Sequence, residues 1–158
     1  METLRRKNRD FLWGVATSSY QIEGGADKED RGKSIWDTFC EGKGNVKGGA
    51  DGKFACDFYH RFRDDLKLLK ELGVNAFRFS LSWSRILPEG RGKVNPAGVD
   101  FYNQVIDILK SYDIEPIVTL YHWDMPETLY RCGGLLNRDF AGWFSDYTEI
   151  AAKAFGDR

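Results

Sequence analysis

The sequence contains few cysteines and few histidines, and their positions limit the chemistry that they can support. Cys40, Cys56 and Cys132 are odd in number and widely spaced, and no C-x-x-C pair occurs. They predict free thiols in a reducing compartment rather than a disulfide framework. The two histidines, His60 and His122, are far apart in sequence, so no structural metal site is expected.

Long apolar runs and an excess of either charge are also absent. The basic start METLRRKNRD is followed only by the short run FLWGVA, which is not a signal-type apolar region, and no run is long enough to span a bilayer. This pattern predicts a cytoplasmic protein. The 23 basic residues nearly cancel the 24 acidic ones, so we expect no nucleic-acid or membrane partner and favour a small neutral ligand.

A phosphate-binding loop is missing as well. The GKS sequence at 32–34 resembles the end of such a loop, but Asp27 occupies the position where the first glycine is required. The run that begins at Gly42 has Lys47 where a G-x-G-x-x-G motif needs its last glycine. A nucleotide site is therefore not favoured.

The sequence does contain three successive pairs of strand and helix patterns. Strands are predicted at 11–17, 76–83 and 115–121, and helices at 57–72, from Asn95-Pro96 onward and from Asn137 onward. In the second strand Phe77 and Phe79 alternate with Arg78, which puts Arg78 on the opposite face. The third strand is a continuous apolar run, typical of a strand buried on both faces. This order predicts an α/β fold with parallel strands, either a doubly wound sheet or a (β/α)8 barrel.

In both folds ligands bind at the carboxyl ends of the strands. Those ends carry Tyr20 and Gln21, then Trp83, and then the run 121–123 of tyrosine, histidine and tryptophan. A sugar ring has an apolar face of C–H bonds and an edge of hydroxyls, so aromatic rings beside side chains that donate and accept hydrogen bonds suit it. The pattern suggests a carbohydrate ligand, and packing of the aromatic residues at the rim stays open as an alternative.

Four segments carry a resemblance to a known family. FLWGVATSSYQIEG (11–24), SIWDTF (34–39), FRFSLSWSRILPEG (77–90) and TLYHWDMPETL (119–129) are similar, in order and spacing, to blocks of family 1 glycoside hydrolases, the β-glucosidase family. The resemblance implies a retaining β-glycosidase on a (β/α)8 TIM barrel. Residues 1–158 would form the N-terminal three strand-helix units of its single catalytic domain. No metal or organic cofactor is implied, because two carboxyl groups are sufficient for the reaction.

The resemblance also implies roles for individual residues. Gln21 and His122 would hold hydroxyls of the non-reducing sugar, and Trp123 would line the same subsite. Arg78 would lie beside the nucleophilic glutamate and help to keep it ionised. The Trp123-Asp124 pair favours plain β-glucosidases over the 6-phospho relatives.

The residues by themselves also allow purely structural roles. Gln21 could cap a turn, His122 could be a core histidine, and Arg78 could neutralise Glu23 or Asp124. Trp36 and Trp83 are assigned mainly to packing. Asp124 and Pro126 are assigned to loop structure.

The catalytic pair of the family is not present in the sequence. A retaining glycosidase needs two carboxyl groups about 5 Å apart, and neither the N-E-P nor the E-N-G block of the family occurs. Glu23 and Asp124 occupy positions that the family keeps for architecture. We therefore expect no catalytic residue in this chain, catalytic glutamates beyond Arg158, and no activity of the isolated chain.

The expected small-molecule partner is a β-glucoside or glucose. A complementary C-terminal segment or a second copy of the chain is the expected protein partner, because three strands leave open sheet edges. Two other functions stay open: a module that binds sugar without cleaving it, and an oligomerising half-barrel.

Overall fold

The computed structural model describes residues 11–158. Its elements follow the order β1 (Gly14–Ala16), α1 (Ser19–Ile22), α2 (Ile35–Glu41), a 3-10 turn (Lys47–Gly49), α3 (Phe58–Leu72), β2 (Ala76–Ser80), α4 (Trp83–Ile86), α5 (Pro96–Ser111), β3 (Glu115–Thr119), α6 (Glu127–Arg131), a second 3-10 turn (Gly134–Leu136) and α7 (Phe140–Phe155). Within these residues no helix has both the length and the apolar composition needed to cross a membrane.

The three strands form one parallel sheet in the order β1-β2-β3, as the alternation of patterns predicted. Each strand is shorter than its predicted range. On β2, Phe77 and Phe79 are buried, whereas Arg78 is exposed on the opposite face. The period of two in the sequence is therefore confirmed, with the phenylalanines turned toward the helices.

The prediction that β3 is buried on both faces is wrong. Ile117 is 39% exposed, while its neighbour Val118 is half-buried against the core. Ile117 pairs in register with Arg78, so the two share the solvent-accessible face of the sheet. Among the described residues, the apolar run of β3 therefore packs on the helix side only.

Local signals mark the end of α3 and the start of α5. Helix α3 begins after Asp57, whose side chain makes no capping bond, and Gly73 ends that helix in the left-handed conformation with φ 76°. Asn95 Oδ1 accepts a hydrogen bond from the backbone N–H of Ala97 at 3.2 Å, and Pro96 occupies the first position of α5. Both starts predicted from the sequence are confirmed.

The helix predicted from Asn137 begins later, at Phe140. Asn137 Oδ1 accepts from the backbone N–H of Asp139 at 2.9 Å, and Asn137 Nδ2 donates to the carbonyl of Cys132 at 2.7 Å. These side-chain bonds hold a turn instead of a helix at this point. The start of α7 is therefore displaced by three residues.

The core lies between the sheet and helices α3, α5 and α7, and aromatic rings fill much of it. Trp83 is fully buried, stacks on Tyr147 with ring centroids 4.5 Å apart, and donates its indole N–H to the carbonyl of Gly90. The assignment of Trp83 to packing is confirmed. Cys40, Cys56 and Cys132 are free thiols, as expected.

Candidate functional site

The segment after β1 turns through the single helical turn α1, which carries Gln21 at an exposed position. The hydroxyl of Ser18 donates to Gln21 Oε1 at 2.7 Å. Gln21 therefore does take part in a turn, as one alternative proposed. Its amide nitrogen retains two donors for a ligand.

The segment after β3 presents one exposed ring and then turns inward. Trp123 is 56% exposed and has a φ of 63°, in the left-handed region that bulky residues rarely adopt. The His122 ring is half-buried and lies edge-on to Trp123, with centroids 5.2 Å apart. The following side chain, Asp124, is buried. His122 and Trp123 are thus held at the surface by a buried residue directly after them.

Gln21, His122 and Trp123 line one cavity of about 510 Å³, together with Tyr20 and Trp36. The volume suits a small molecule. The Trp36 ring lies 6.1 Å from the Trp123 ring and 6.2 Å from the Tyr20 ring, so the aromatic walls are continuous. The structure thus brings together the three residues predicted to bind sugar.

Trp36 has a larger part in this cavity than its assignment to packing implied. It is half-buried, and its ring belongs to the wall of the cavity. The sequence places it in α2, far from the strand ends at which ligand residues were sought, and only the segment SIWDTF marked it as a residue of interest.

A glycine-rich segment forms the other side of the cavity, through residues that include Asp51 and Gly52. The hydroxyl of Tyr20 accepts a hydrogen bond from the backbone N–H of Gly52 at 3.2 Å and donates to Cys40 Sγ at 3.4 Å. Burial, assisted by Cys40, raises the pKa of Tyr20 well above its usual range. Tyr20 is therefore a neutral residue of the cavity wall, and its hydroxyl binds the backbone of the glycine-rich segment. The sequence did not predict this role.

Arg78 lies on the open face of the sheet rather than in the wall of the cavity. Its Nε donates to Thr119 Oγ1 at 2.9 Å. The alternative that Arg78 neutralises Glu23 is wrong, because Arg85 Nε donates to Glu23 Oε2 at 3.1 Å. Arg78 therefore has an exposed guanidinium at the centre of the sheet.

The carboxylates of Glu23 and Asp124, which follow strand ends, both accept hydrogen bonds in the protein interior. Glu23 is buried, and its second oxygen accepts from the hydroxyl of Tyr102 at 2.5 Å. Asp124 Oδ2 accepts from the hydroxyl of Ser19 at 2.6 Å. Burial raises the pKa of Asp124 to about 6, although the Ser19 hydrogen bond opposes the increase. Neither carboxylate is presented to the cavity as an acid, a base or a nucleophile.

Metal ligands are not grouped in this part of the chain. Residues 11–158 contain no cluster of three or more His, Cys, Asp or Glu side chains that could hold a metal ion. The features of the site are instead aromatic walls, an amide and an imidazole.

Comparison with known proteins gives consistent matches. Residues 5–158 match the family model described as Glycosyl hydrolase family 1. Beta-glucosidase A of Thermotoga maritima is 53% identical over 148 residues, which are 94% of this chain and 33% of that protein. An aryl-phospho-beta-D-glucosidase of Bacillus subtilis is 45% identical over 151 residues, 95% of this chain and 32% of the relative.

The structural match covers the same part of the relatives. A beta-glucosidase from Thermotoga maritima, solved in complex with castanospermine, superposes with a TM-score of 0.94 at 52% identity and covers 96% of this chain and 34% of that one. The chain spans about a third of the length of these relatives. On the match over residues 5–158, the chain belongs to glycosyl hydrolase family 1.

Proposed function

We propose that this chain is the N-terminal part of a retaining β-glucosidase that hydrolyses β-linked glucosides, and that it contributes part of the subsite for the non-reducing sugar. The observation that carries the proposal is the convergence of Gln21, His122 and Trp123 on one cavity. Membership of family 1 and the names of the relatives support the same activity.

The chemistry of the cavity suits a neutral sugar. Trp123 and Trp36 offer apolar faces to the C–H face of a pyranose ring. Gln21 and His122 can each donate to one hydroxyl and accept from another. A plain glucoside is proposed in preference to a 6-phosphoglucoside, although relatives of both kinds are similar to this chain.

Arg78 is proposed to act on the nucleophile. In a closed (β/α)8 barrel the face of the sheet opposite the helices becomes the interior, and Arg78 lies on that face. A guanidinium there lowers the pKa of a neighbouring carboxyl group and keeps it ionised at neutral pH. In this proposal the nucleophile and the acid/base are glutamates that follow residue 158, so residues 1–158 alone are inactive. The cytoplasmic location stays a prediction from the sequence.

The test uses a longer protein that carries this chain, with p-nitrophenyl β-D-glucoside as substrate. His122→Ala is expected to lower kcat/KM about tenfold or more, because a ligand hydroxyl loses its partner. His60→Ala is the matched control, since His60 is exposed on α3 beside Asp57. Equal activity of the two variants would count against the proposed site.

Two further measurements test the mechanism. Proton NMR of the first product should detect β-glucose, and α-glucose as the first product would exclude retention. Residues 1–158 alone should not hydrolyse the substrate, and turnover by them would show that the catalytic pair lies within this chain.

One observation also favours an interaction function for the isolated chain. Phe11, Leu12 and Trp13 are each at least half exposed next to β1, which is an edge strand. Such edges pair with other chains. Light scattering of residues 1–158 should detect dimers or larger species, and addition of the C-terminal segment of a family 1 relative should reduce them and restore turnover. A monomer that binds glucose would instead support a non-catalytic sugar-binding module.

A further inference from the structure

A chain of three buried hydrogen bonds joins residues that lie behind the cavity lining, since Ser19 is next in sequence to Ser18 and Tyr20, and Asp124 follows Trp123. The backbone N–H of Ser19 donates to Ser80 Oγ at 2.8 Å, and the Ser80 hydroxyl donates to Ser19 Oγ at 3.1 Å. The Ser19 hydroxyl then donates to Asp124 Oδ2 at 2.6 Å. Each hydroxyl accepts one bond and donates one, so the chain has a single direction and ends on the carboxylate of Asp124.

These hydrogen bonds connect the two segments that carry the residues proposed to bind sugar. Ser19 begins the helical turn α1 that presents Gln21. Asp124 directly follows His122 and Trp123 in sequence. Ser80 ends β2, which lies between β1 and β3 in the sheet. The bond from Ser19 to Asp124 is therefore a direct link between the Gln21 side and the His122 side of the cavity.

The backbone before Asp124 needs such an anchor. Trp123 adopts a φ of 63°, and a bulky residue holds this conformation only where its surroundings determine it. Asp124 is the residue that directly follows Trp123. The position of Asp124 is defined by a short hydrogen bond from the Ser19 hydroxyl, which in turn accepts a hydrogen bond from Ser80. Without the bond, relaxation of Trp123 would move the indole in the cavity wall.

A neutral side chain at position 124 would fill the same space at a lower cost in folding free energy. Asp124 is 1% exposed, and its Oδ1 has no hydrogen-bond partner among the described residues. A buried carboxylate with one free oxygen is costly. It is also a stronger acceptor than a neutral group, which suits a bond that must hold two segments at a set distance.

We propose that Asp124, acting through Ser19, is a positioning residue of the sugar site: their hydrogen bond holds α1 and the segment 122–124 at the spacing that lets Gln21 and His122 bind the same sugar. Asp124 itself does not touch the sugar. The proposal rests on the proposed function, because it assigns a task to that same site.

The experiment measures inhibition by glucose and turnover of p-nitrophenyl β-D-glucoside in a longer protein that carries this chain. Asp124→Ala and Ser19→Ala are each expected to raise the inhibition constant of glucose about 10- to 100-fold. The double variant should be no worse than the more severe single variant, because both changes break the same bond. Asp124→Asn retains an acceptor for Ser19 and should recover most of the affinity lost in Asp124→Ala.

Ser84→Ala is the matched control for Ser19→Ala. Ser84 is also a fully buried serine, and its hydroxyl lies 3.4 Å from the hydroxyl of Ser82. It belongs to α4 and lies outside the cavity lining. Ser84→Ala should leave the inhibition constant within about twofold, the size of a neutral change in affinity.

All measurements are made at a temperature at which circular dichroism shows each variant to be folded. Unchanged inhibition constants in Ser19→Ala, or losses in the double variant that add, would overturn the positioning role. If Asp124→Ala does not fold, Ser19→Ala and Asp124→Asn still decide the question. An unsubstituted protein that neither binds glucose nor cleaves the glucoside would overturn the proposed function, and this proposal with it.

Discussion

Arg85 and Glu23 form an ion pair in the interior of the protein, with 3.1 Å between Arg85 Nε and Glu23 Oε2 and side chains that are 1% and 6% exposed. The hydroxyl of Tyr102 donates to the other oxygen of Glu23, and Arg85 also donates to the carbonyl of Gly24. The guanidinium lies over the ring of Tyr59 at 4.2 Å. This network fixes the segment after α1 against helices α3, α4 and α5, next to the cavity that Gln21 lines.

Replacement of Glu23 by glutamine should lower the free energy of unfolding by about 3 kcal/mol, because it leaves the buried guanidinium of Arg85 uncompensated. The control is Glu149→Gln, whose partner Lys153 is exposed on α7; that change should leave the midpoint of unfolding almost unchanged. Urea unfolding followed by tryptophan fluorescence measures both. Similar midpoints for the two variants would contradict the prediction.

Two helical glycines should respond in opposite directions to the same substitution. A Cβ on Gly98 in α5 would lie 2.2 Å from the carbonyl oxygen of Arg85, whereas a Cβ on Gly142 in α7 would meet no atom within 4 Å. Gly142→Ala should raise the free energy of unfolding by about 0.5–1 kcal/mol. Gly98→Ala should lower it by on the order of 1–3 kcal/mol. A change of the same sign at both positions would refute the close approach of α5 to Arg85.

The buried carboxyl group of Asp124 should make stability depend on pH. Its pKa is raised from 3.8 to about 6, mainly by burial; Glu23 adds to the increase, while Ser19 and Arg31 oppose it. The folded protein therefore holds this proton more tightly than the unfolded chain. Stability should fall as the pH rises from about 4 to about 6, by on the order of 3 kcal/mol from this group.

The measurement compares urea unfolding of the unsubstituted protein and of Asp124→Asn between pH 4 and pH 7.5. Asparagine does not titrate, so the variant should gain stability relative to the unsubstituted protein as the pH rises through this window. Other titrating groups are common to both proteins and cancel in the difference. Parallel curves would show that Asp124 does not retain its proton in the fold.

Loss of the Trp36 ring should weaken sugar binding, since this ring joins Tyr20 and Trp123 in the cavity wall. Trp36→Ala is expected to reduce the affinity for glucose about 3- to 10-fold. Trp143→Ala serves as the control, because Trp143 lies on α7 beneath Arg91 and outside the cavity lining. Titration with glucose measures both variants, and an equal loss in the control would indicate a general effect on folding instead.

Several local features were predictable because their causes lie within a few residues. Gly73 ends α3 and Asn95-Pro96 begins α5 through bonds to their own neighbours. The alternation at Phe77 and Arg78 assigns the two faces of β2 without knowledge of any other strand. The start of α7 was not predictable in this way, because Asn137 bonds back to Cys132 and so stays outside the helix.

The convergence of the three strand-end residues on one cavity was predictable, but the support of that cavity was not. Gln21, His122 and Trp123 could be chosen from strand ends and motifs, since parallel strands bring their carboxyl ends to one edge. The role of Trp36 depends on where α2 folds over that edge, which local pattern does not specify.

The sequence by itself determined the order of the three strands and the three long helices, the face that Arg78 occupies and the family of the chain. Tertiary structure alone decided which polar groups are paired: Glu23 with Arg85 across 62 residues, and Ser19 with Asp124 across 105. The physical reason is that capping and periodicity act between near neighbours, whereas buried hydrogen bonds and burial itself depend on how distant segments are brought together by the packing of the sheet and helices.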